Sequence, residues 1–177
     1  MMNRSIIGAA VAASLMLPFG AAQAATAGPS NFNVTATVAN FCTVSAANVP
    51  FGSVNAGAAA TNTANSVTLT CNKGATVTVV QLNNGSNASG TQKRMKDPVS
   101  GDFLSYNIDV PTGATFNTCP APGAGPEWNA TNTIAATPLF TTTGGAKLIN
   151  LCASIPANQF PSAGNYSDTV QVQATYN

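Results

Sequence analysis

The chain has 177 residues and a formal net charge of +1, with only 6% charged residues and no histidine. Without histidine it lacks the usual general base for a serine or cysteine nucleophile and the most common metal ligand, which argues against a hydrolase or a metal centre. Its near-zero charge gives no attraction to nucleic acid or to anionic lipid. We therefore expect a non-enzymatic protein without a cofactor, a metal or a nucleic-acid partner.

Residues 1–24 have the pattern of a secretory signal peptide. A short positive start ends at Arg4, a mostly apolar stretch runs from Ile6 to Phe19, and Ala22-Gln23-Ala24 is a small-x-small cleavage site. A membrane span would need about 20 apolar residues, and this stretch is shorter and contains Pro18. We expect an exported chain with no membrane span after cleavage, of a length that fits one domain.

Residues 25–39 follow the cleavage site and contain a segment in which apolar and polar residues alternate. Phe32, Val34, Ala36 and Val38 would share one face of a β-strand, because successive side chains on a strand point to opposite sides. On this pattern alone, an ordinary half-buried strand is the favoured interpretation.

Four cysteines lie in the mature region, at Cys42, Cys71, Cys119 and Cys152. An even number of cysteines in an exported chain favours disulfides, and three pairings are possible. We favour Cys42 with Cys71 and Cys119 with Cys152, because each pair is close in sequence and the first pair lies on two successive predicted strands. Long spacings, the absence of a CxxC motif and the absence of histidine disfavour metal binding by these thiols.

No long segment of the mature chain has helical periodicity, and Gly, Pro, Asn and Ser interrupt it at short intervals, so we predict an all-β fold. After residue 40, the predicted strands are Phe41–Ala46, Ser66–Cys71, Thr76–Leu82, Phe103–Asp109, Ala146–Ile155 and Asp168–Tyr176.

Two stretches between these strands are predicted to be loops. The Ala/Thr-rich Ala56–Ala64 reads as an inter-strand loop, and Pro111–Asn132 reads as a long loop tied down by Cys119. Trp128, the only tryptophan, is interpreted as a packing anchor of this loop in preference to a sugar-stacking residue.

The charged residues of the middle region are interpreted as solvated. The basic run Lys93–Lys96 is typical of a strand edge on which lysines discourage unwanted pairing, with contact to an acidic partner or a polysaccharide as the alternative. Asp97 and Asp102 flank a turn, and their polar neighbours do not indicate the apolar pocket that raises the pKa of a catalytic carboxylate.

The chain ends in a second alternating segment, Asp168–Asn177. Val170, Val172, Ala174 and Tyr176 would share one face of the last strand. A buried strand with no successor leaves one edge open for pairing.

An ordered set of segments resembles the spore coat protein U domain family, which includes the subunits of archaic, Csu-type chaperone–usher pili. Each segment alone is weakly specific, but together they cover nearly all of the chain from the first cysteine onward. The region around Cys119 and Trp128 does not follow the family pattern. The matching segments are Cys42–Ser45, Val49–Gly52, Ser66–Cys71, Arg94–Met95, Leu104–Ile108, Ile155–Gln159 and Ala163–Val170.

The resemblance implies an incomplete immunoglobulin-like β-sandwich at residues 40–177 that lacks its last strand, with residues 25–39 as a free donor-strand extension. In such subunits the groove left by the missing strand binds first a periplasmic chaperone and then the extension of the next subunit. The implied donor side chains are those of Phe32, Val34, Ala36 and Val38. The implied acceptor-groove and chaperone-pairing residues are Val170, Val172, Ala174 and Tyr176.

The resemblance therefore predicts a structural subunit of a surface pilus or fimbria that serves adhesion and biofilm formation. Its partners would be a periplasmic pilus chaperone, an outer-membrane usher and neighbouring pilus subunits. The alternative is a non-polymerising secreted or coat-associated binding module, such as a lectin-like or coat protein. A free extension discriminates the two, because only a polymerising subunit needs one.

Overall fold

The computed structural model describes residues 24–177, so the predicted signal peptide lies outside the described residues except for Ala24. The chain divides into two units, with the boundary between Thr37 and Val38. Residues 24–41 contain neither helix nor strand. Across residues 24–177, no helix has the length and apolar character needed to cross a membrane.

The second unit is built almost entirely of short strands, which confirms the all-β prediction. The 3₁₀ helix Thr137–Phe140, with Pro138 in its first turn, is the only helix in the described part of the chain. The strands are β1 (Cys42–Ala46), β2 (Ala60–Asn62), β3 (Ser66–Cys71), β4 (Val77–Leu82), β5 (Arg94–Lys96), β6 (Phe103–Ser105), β7 (Asn107–Asp109), β8 (Gly145–Asn150), β9 (Cys152–Ile155) and β10 (Val172–Tyr176).

These strands pair antiparallel in four small sheets, with the orders β1-β3-β8, β10-β4, β2-β9-β7 and β5-β6. The central strand β3 shows why the sequence forms this structure. Its residues Val67, Leu69 and Cys71 are buried, while the hydroxyl side chains between them are only half-buried. This alternation matches the two-residue period of a strand with one face on the core.

The core contains aliphatic residues from most strands and three aromatic side chains from outside them, those of Tyr106, Trp128 and Phe140. Trp128 is fully buried, and its indole Nε1–H donates to the carbonyl of Val80 at 3.0 Å. A buried indole needs such an acceptor, because an unpaired polar group in the core is destabilising. The prediction that Trp128 is a packing anchor is confirmed.

Both predicted disulfides are present. Cys42 and Cys71 are directly opposite each other on β1 and β3, and Cys119 ties the long middle loop to Cys152 on β9. The closed loops span 29 and 33 residues. In the chain-entropy account each bond stabilises the fold by about 3–4 kcal/mol.

Several predicted strand boundaries are wrong. The run Phe103–Asp109 divides at Tyr106 and the run Ala146–Ile155 divides at Leu151, because the chain passes from one sheet to another at each of these buried residues. The predicted loop Ala56–Ala64 contains β2, whose three residues pair with β9. The last strand begins only at Val172.

The predicted strand at Phe32–Val38 is not formed. A strand requires a neighbour to satisfy its backbone N–H and C=O groups, and no described part of this chain pairs with the segment.

Two residues that were interpreted as solvated are buried. Lys93 is 0% exposed, and its Nζ donates to Glu127 Oε1 at 3.1 Å and to the carbonyl of Trp128 at 2.9 Å. Asp97 is 2% exposed and accepts hydrogen bonds from the backbone N–H and the hydroxyl of Ser100, both at 2.8 Å. These partners replace the water that each charged group would otherwise bind.

Candidate strand-acceptor groove

Strands β1 and β10 each have one unpaired edge. β1 pairs only with β3, and β10 pairs only with β4. The two strands contact each other, yet no ladder of hydrogen bonds joins them. Within the described residues, the second unit therefore has two free strand edges next to each other.

The hydrogen bonds of β1 show which backbone groups this edge offers. The N–H of Ala47, just after β1, donates to the carbonyl of Ser66 at 3.0 Å, so it points toward β3. Because the backbone groups of successive strand residues point to opposite edges, those of Val44 and Ala46 point away from β3. The residues with free backbone groups thus include Val44, whose side chain packs on the core.

Strand β10 likewise has backbone groups that point away from its partner β4. The N–H of Asn83 donates to the carbonyl of Gln171 at 3.0 Å, so the backbone groups of Gln171 and Gln173 point toward β4. The backbone groups of Val172 and Ala174 therefore point to the free edge, while their side chains pack on the core. The free edges of β1 and β10 thus both offer polar backbone groups, and a strand added between them would have to separate the two strands where they now contact each other, because neighbouring strands lie about 4.7–4.9 Å apart.

A cleft of about 360 Å³ lies between the segment after β1 and the segment that leads into β10. A second cleft, of about 660 Å³, shares the lining residues Val49, Phe51, Met95 and Tyr166 with the first, so the two clefts adjoin and are treated together. We call this the acceptor groove. Its apolar lining includes Leu82, Met95, Leu104, Ile108, Leu151, Ala153, Ile155, Val170 and Val172.

The structure separates the four residues that were predicted to form the acceptor strand. Val170 and Val172 line the acceptor groove, and Ala174 is half-buried against the core without lining it. Tyr176 follows a register shift after Thr175, is 38% exposed and does not line the groove.

The four predicted donor side chains lie on the segment without secondary structure. Phe32, Val34 and Val38 are 84%, 84% and 81% exposed, and Ala36 is exposed as well. Exposed large apolar side chains in an alternating row are unusual unless another surface covers them. A partner strand would bury all four on one face.

Sequence reasoning did not identify the polar end of the groove. The Tyr106 hydroxyl donates to Asp168 Oδ2 at 2.7 Å, and both residues line the groove. Burial and this hydrogen bond raise the pKa of Tyr106 far above its usual range, so the phenol stays a donor. Asp168 Oδ1 also accepts from the backbone N–H groups of Ser86 and Asn87, at 2.9 and 3.1 Å.

This network fixes the segment that enters β10. Gly85 has φ +87°, and a Cβ on it would collide with the Asp168 carboxylate. The Asn83-Asn84-Gly85 turn is visible in the sequence, but its contact with a carboxylate some 80 positions later is not. The free backbone groups and apolar side chains of the groove suit the binding of an extended strand. Residues 24–177 bring together no His/Cys/Asp/Glu group suited to holding a metal ion.

Comparisons with known proteins give a family. The family model described as Spore Coat Protein U domain matches residues 29–173, which include the exposed alternating segment. No curated protein matches the chain. A solved structure is similar to it with 27% identity and a TM-score of 0.48, covering 78% of this chain and 40% of that chain: the CsuC-CsuE chaperone-tip adhesion subunit pre-assembly complex from the archaic chaperone-usher Csu pili of Acinetobacter baumannii.

This chain thus spans about two fifths of the length of the solved chain that it matches. The family match is broader, because it covers well over half of the present sequence and includes the free segment and the first two residues of β10. On that match, the chain belongs to the Spore Coat Protein U domain family.

Proposed function

We propose that this protein is a structural subunit of a surface pilus, assembled by the chaperone–usher route through donor-strand exchange. The observation that carries the proposal is the acceptor groove, a cleft with many aliphatic lining residues between the segment after β1 and the segment that leads into β10, two strands that each have a free edge. Residues 25–39 would supply the donor strand to a neighbouring subunit. Adding a strand to an open sheet edge is an established mode of recognition in which the backbone supplies affinity and alternate side chains supply register.

The donor segment has suitable dimensions and chemistry. Residues 32–38 in extended form span about 20–23 Å at the usual rise per strand residue. Burying Phe32, Val34 and Val38, with a smaller share from Ala36, would contribute roughly 5–10 kcal/mol. Ordering the tail opposes this by about 1–2 kcal/mol per residue, so a stable linkage also needs the backbone hydrogen bonds that β1 and β10 leave open.

The remaining parts of the proposal come from family membership. A periplasmic chaperone would fill the groove first, an outer-membrane usher would receive the subunit, and neighbouring subunits would then displace the chaperone. The finished fibre would lie at the cell surface, where adhesion and biofilm formation are the expected roles. The domain boundaries proposed are a signal peptide at 1–24, a donor extension at 25–39 and a pilin domain at 40–177.

The test compares two double variants of the full exported chain. Val34→Asp with Val38→Asp would bury two carboxylates in the groove and should abolish polymers, because unpaired buried charge is strongly unfavourable. Thr35→Asp with Thr37→Asp adds the same charge to the opposite face of the donor and should polymerise. The readout is the ladder of polymers resistant to denaturant, together with the yield of chaperone-bound monomer.

The outcomes discriminate the proposal from a non-polymerising binding module. Fibres from the Val34/Val38 variant at the level of the wild-type chain would show that the alternating segment is not the donor. If deletion of residues 25–39 also left assembly unchanged, donor-strand exchange through this extension would be excluded. A wild-type chain that stays monomeric with its chaperone and usher present would favour the binding module.

A further inference from the structure

A cationic patch with an aromatic centre lies on the hairpin of β5 and β6. The Arg94 guanidinium carbon is 4.0 Å from the centroid of the Phe103 ring, and Lys96 Nζ is 5.7 Å from the same centroid. The two cations are therefore at most about 10 Å apart, which is within one Debye length at physiological salt. Neither makes a salt bridge with any described residue. We call this set the Phe103 patch.

The patch is separate from the acceptor groove. Met95 lies between the two cations in sequence, and its side chain lines the groove. Since successive strand residues point to opposite faces, Arg94 and Lys96 lie on the other face of β5. Filling the groove with a strand would leave the Phe103 patch exposed.

Hydrogen bonds hold Arg94 and the turn of the hairpin in place. Arg94 Nε donates to the carbonyl of Asn87 at 3.1 Å, and Nη2 donates to the carbonyl of Ala88 at 3.4 Å. The buried carboxylate of Asp97 fixes the turn of the hairpin by accepting from Ser100. A ligand would therefore meet an ordered guanidinium at Arg94, while the exposed side chain of Lys96 would lose conformational entropy on binding.

Two like charges close together destabilise each other unless an anion lies between them, and the described chain supplies none there. Phe103 adds an exposed apolar surface, since 40% of it is accessible. A carboxylate or sulfate attached to a ring with apolar C–H faces would satisfy both features: the anion would contact Lys96 Nζ and Arg94 Nη1, and the C–H face would cover Phe103.

We propose that the Phe103 patch binds an acidic polysaccharide, through Arg94 and Lys96 at the anionic group and Phe103 at the sugar ring. A peptide that binds as an added strand fits less well, because β5 pairs with β6 on one edge and the pairing of Lys96 with Ser167 interrupts the other edge. Nucleic acid fits less well because an otherwise neutral mature chain offers no extended positive surface.

The test measures binding of an oligogalacturonate to the full mature chain by titration calorimetry. Maltooligosaccharide serves as the neutral probe and a DNA oligonucleotide as the competing polyanion. Lys96→Gln should weaken oligogalacturonate binding about tenfold, the usual effect of removing one charged hydrogen-bonding group. Phe103→Leu should weaken it about threefold to fivefold, and the neutral sugar should bind far less than the acidic one.

Lys73→Gln is the matched control, because it removes one exposed lysine from a turn outside the patch. It should leave the affinity within about twofold of wild type, as expected for a distant surface charge screened by salt. Lys96 is exposed, so its replacement leaves folding intact, and equal thermal midpoints of the two lysine variants would verify this.

Three results would overturn the proposal. One is the absence of saturable binding to oligogalacturonate. Another is an equal affinity of wild type, Lys96→Gln and Phe103→Leu for it. The third is tighter binding of the DNA oligonucleotide with the same dependence on Lys96 and Phe103, which would assign the patch to nucleic acid instead.

Discussion

Asp109 and Asp102 are two carboxylates of the same domain whose pKa values are displaced in opposite directions. Burial raises the pKa of Asp109, and a hydrogen bond from the N–H of Gly123 at 2.9 Å offsets part of this effect. Hydrogen bonds from the side chain and the backbone N–H of Ser162 lower the pKa of Asp102. The fold therefore favours the neutral form of one carboxyl and the charged form of the other.

For Asp109, the raised pKa means that protonation stabilises the fold. This contribution is fully present below the unfolded pKa of about 3.9 and is lost as the pH rises through the folded value. Asp109→Asn keeps an acceptor for Gly123 without the charge, so we expect a larger free energy of unfolding than wild type at pH 7. The difference should shrink below pH ~4. Urea unfolding with intact disulfides measures it, and a less stable variant at pH 7 would contradict the assignment.

For Asp102 the sign is reversed. Its lowered pKa contributes stability above the unfolded value of about 3.9, and this stability is lost as the pH falls through the folded value. Asp102→Asn should therefore be less stable than wild type at pH 7, with a difference that disappears in acid. The same urea series measures both variants. At neutral pH, the free energy of unfolding should be above that of wild type for Asp109→Asn and below it for Asp102→Asn.

Single charged residues were the least predictable part of the sequence. Lys93 is in a basic run that is typical of a solvated edge, yet its partners Glu127 and Trp128 lie more than 30 positions away. Nothing local indicates that they will surround the ammonium group. Cysteines and Trp128 were predictable because burial is their default in an exported domain.

At the scale of elements, the Cys42–Cys71 disulfide lies where the proposed donor extension meets the folded domain. Cys42 is the first residue of β1, and the bond joins it directly to the last residue of β3. In a fibre, tension would pass from the extension into β1, and the bond would carry it to β3. Without the bond, β1 could peel away from β3 one hydrogen bond at a time.

We expect Cys42→Ser with Cys71→Ser to lose about 3–4 kcal/mol of unfolding free energy, the effect of opening a loop of this length. When the domain is pulled from its N-terminus, the first unfolding event should occur at lower force than in wild type. Cys119→Ser with Cys152→Ser opens a loop of similar length away from the extension. That control should lose similar equilibrium stability and keep the force of the first event; equal force losses in both variants would contradict this load path.

Strands were predictable where one face is buried and the other is closer to solvent, as in β3, because apolar and polar residues then alternate visibly in the sequence. The breaks at Tyr106 and Leu151 were not, since the chain changes sheets there within a run of residues suited to a strand. For the groove, the sequence indicated Val170 and Val172 through their alternation. Val49 and Phe51 line the groove on the side of β1. They lie in a segment that resembles the family, but no pattern in the sequence indicates that they face a cleft.

At the scale of the whole molecule, the two proposed binding surfaces differ in chemistry. The acceptor groove has one charged lining residue, Asp168, and residues 25–39 contain no charged side chain. The Phe103 patch presents two cations to solvent. Salt screens interactions between exposed charges and has little effect on apolar burial or backbone pairing, so ionic strength should separate the two activities.

We expect the extent of polymerisation to change little as sodium chloride is raised, and to increase slightly in sulfate, which strengthens apolar burial. Oligogalacturonate binding by the same preparation should weaken steeply over the same range, because its anions meet exposed cations. Sedimentation measures the first and calorimetry the second. If polymerisation also fell in parallel with saccharide binding, charged groups would have to contribute to the linkage, and the apolar burial and backbone pairing of an uncharged donor strand could not be its sole basis.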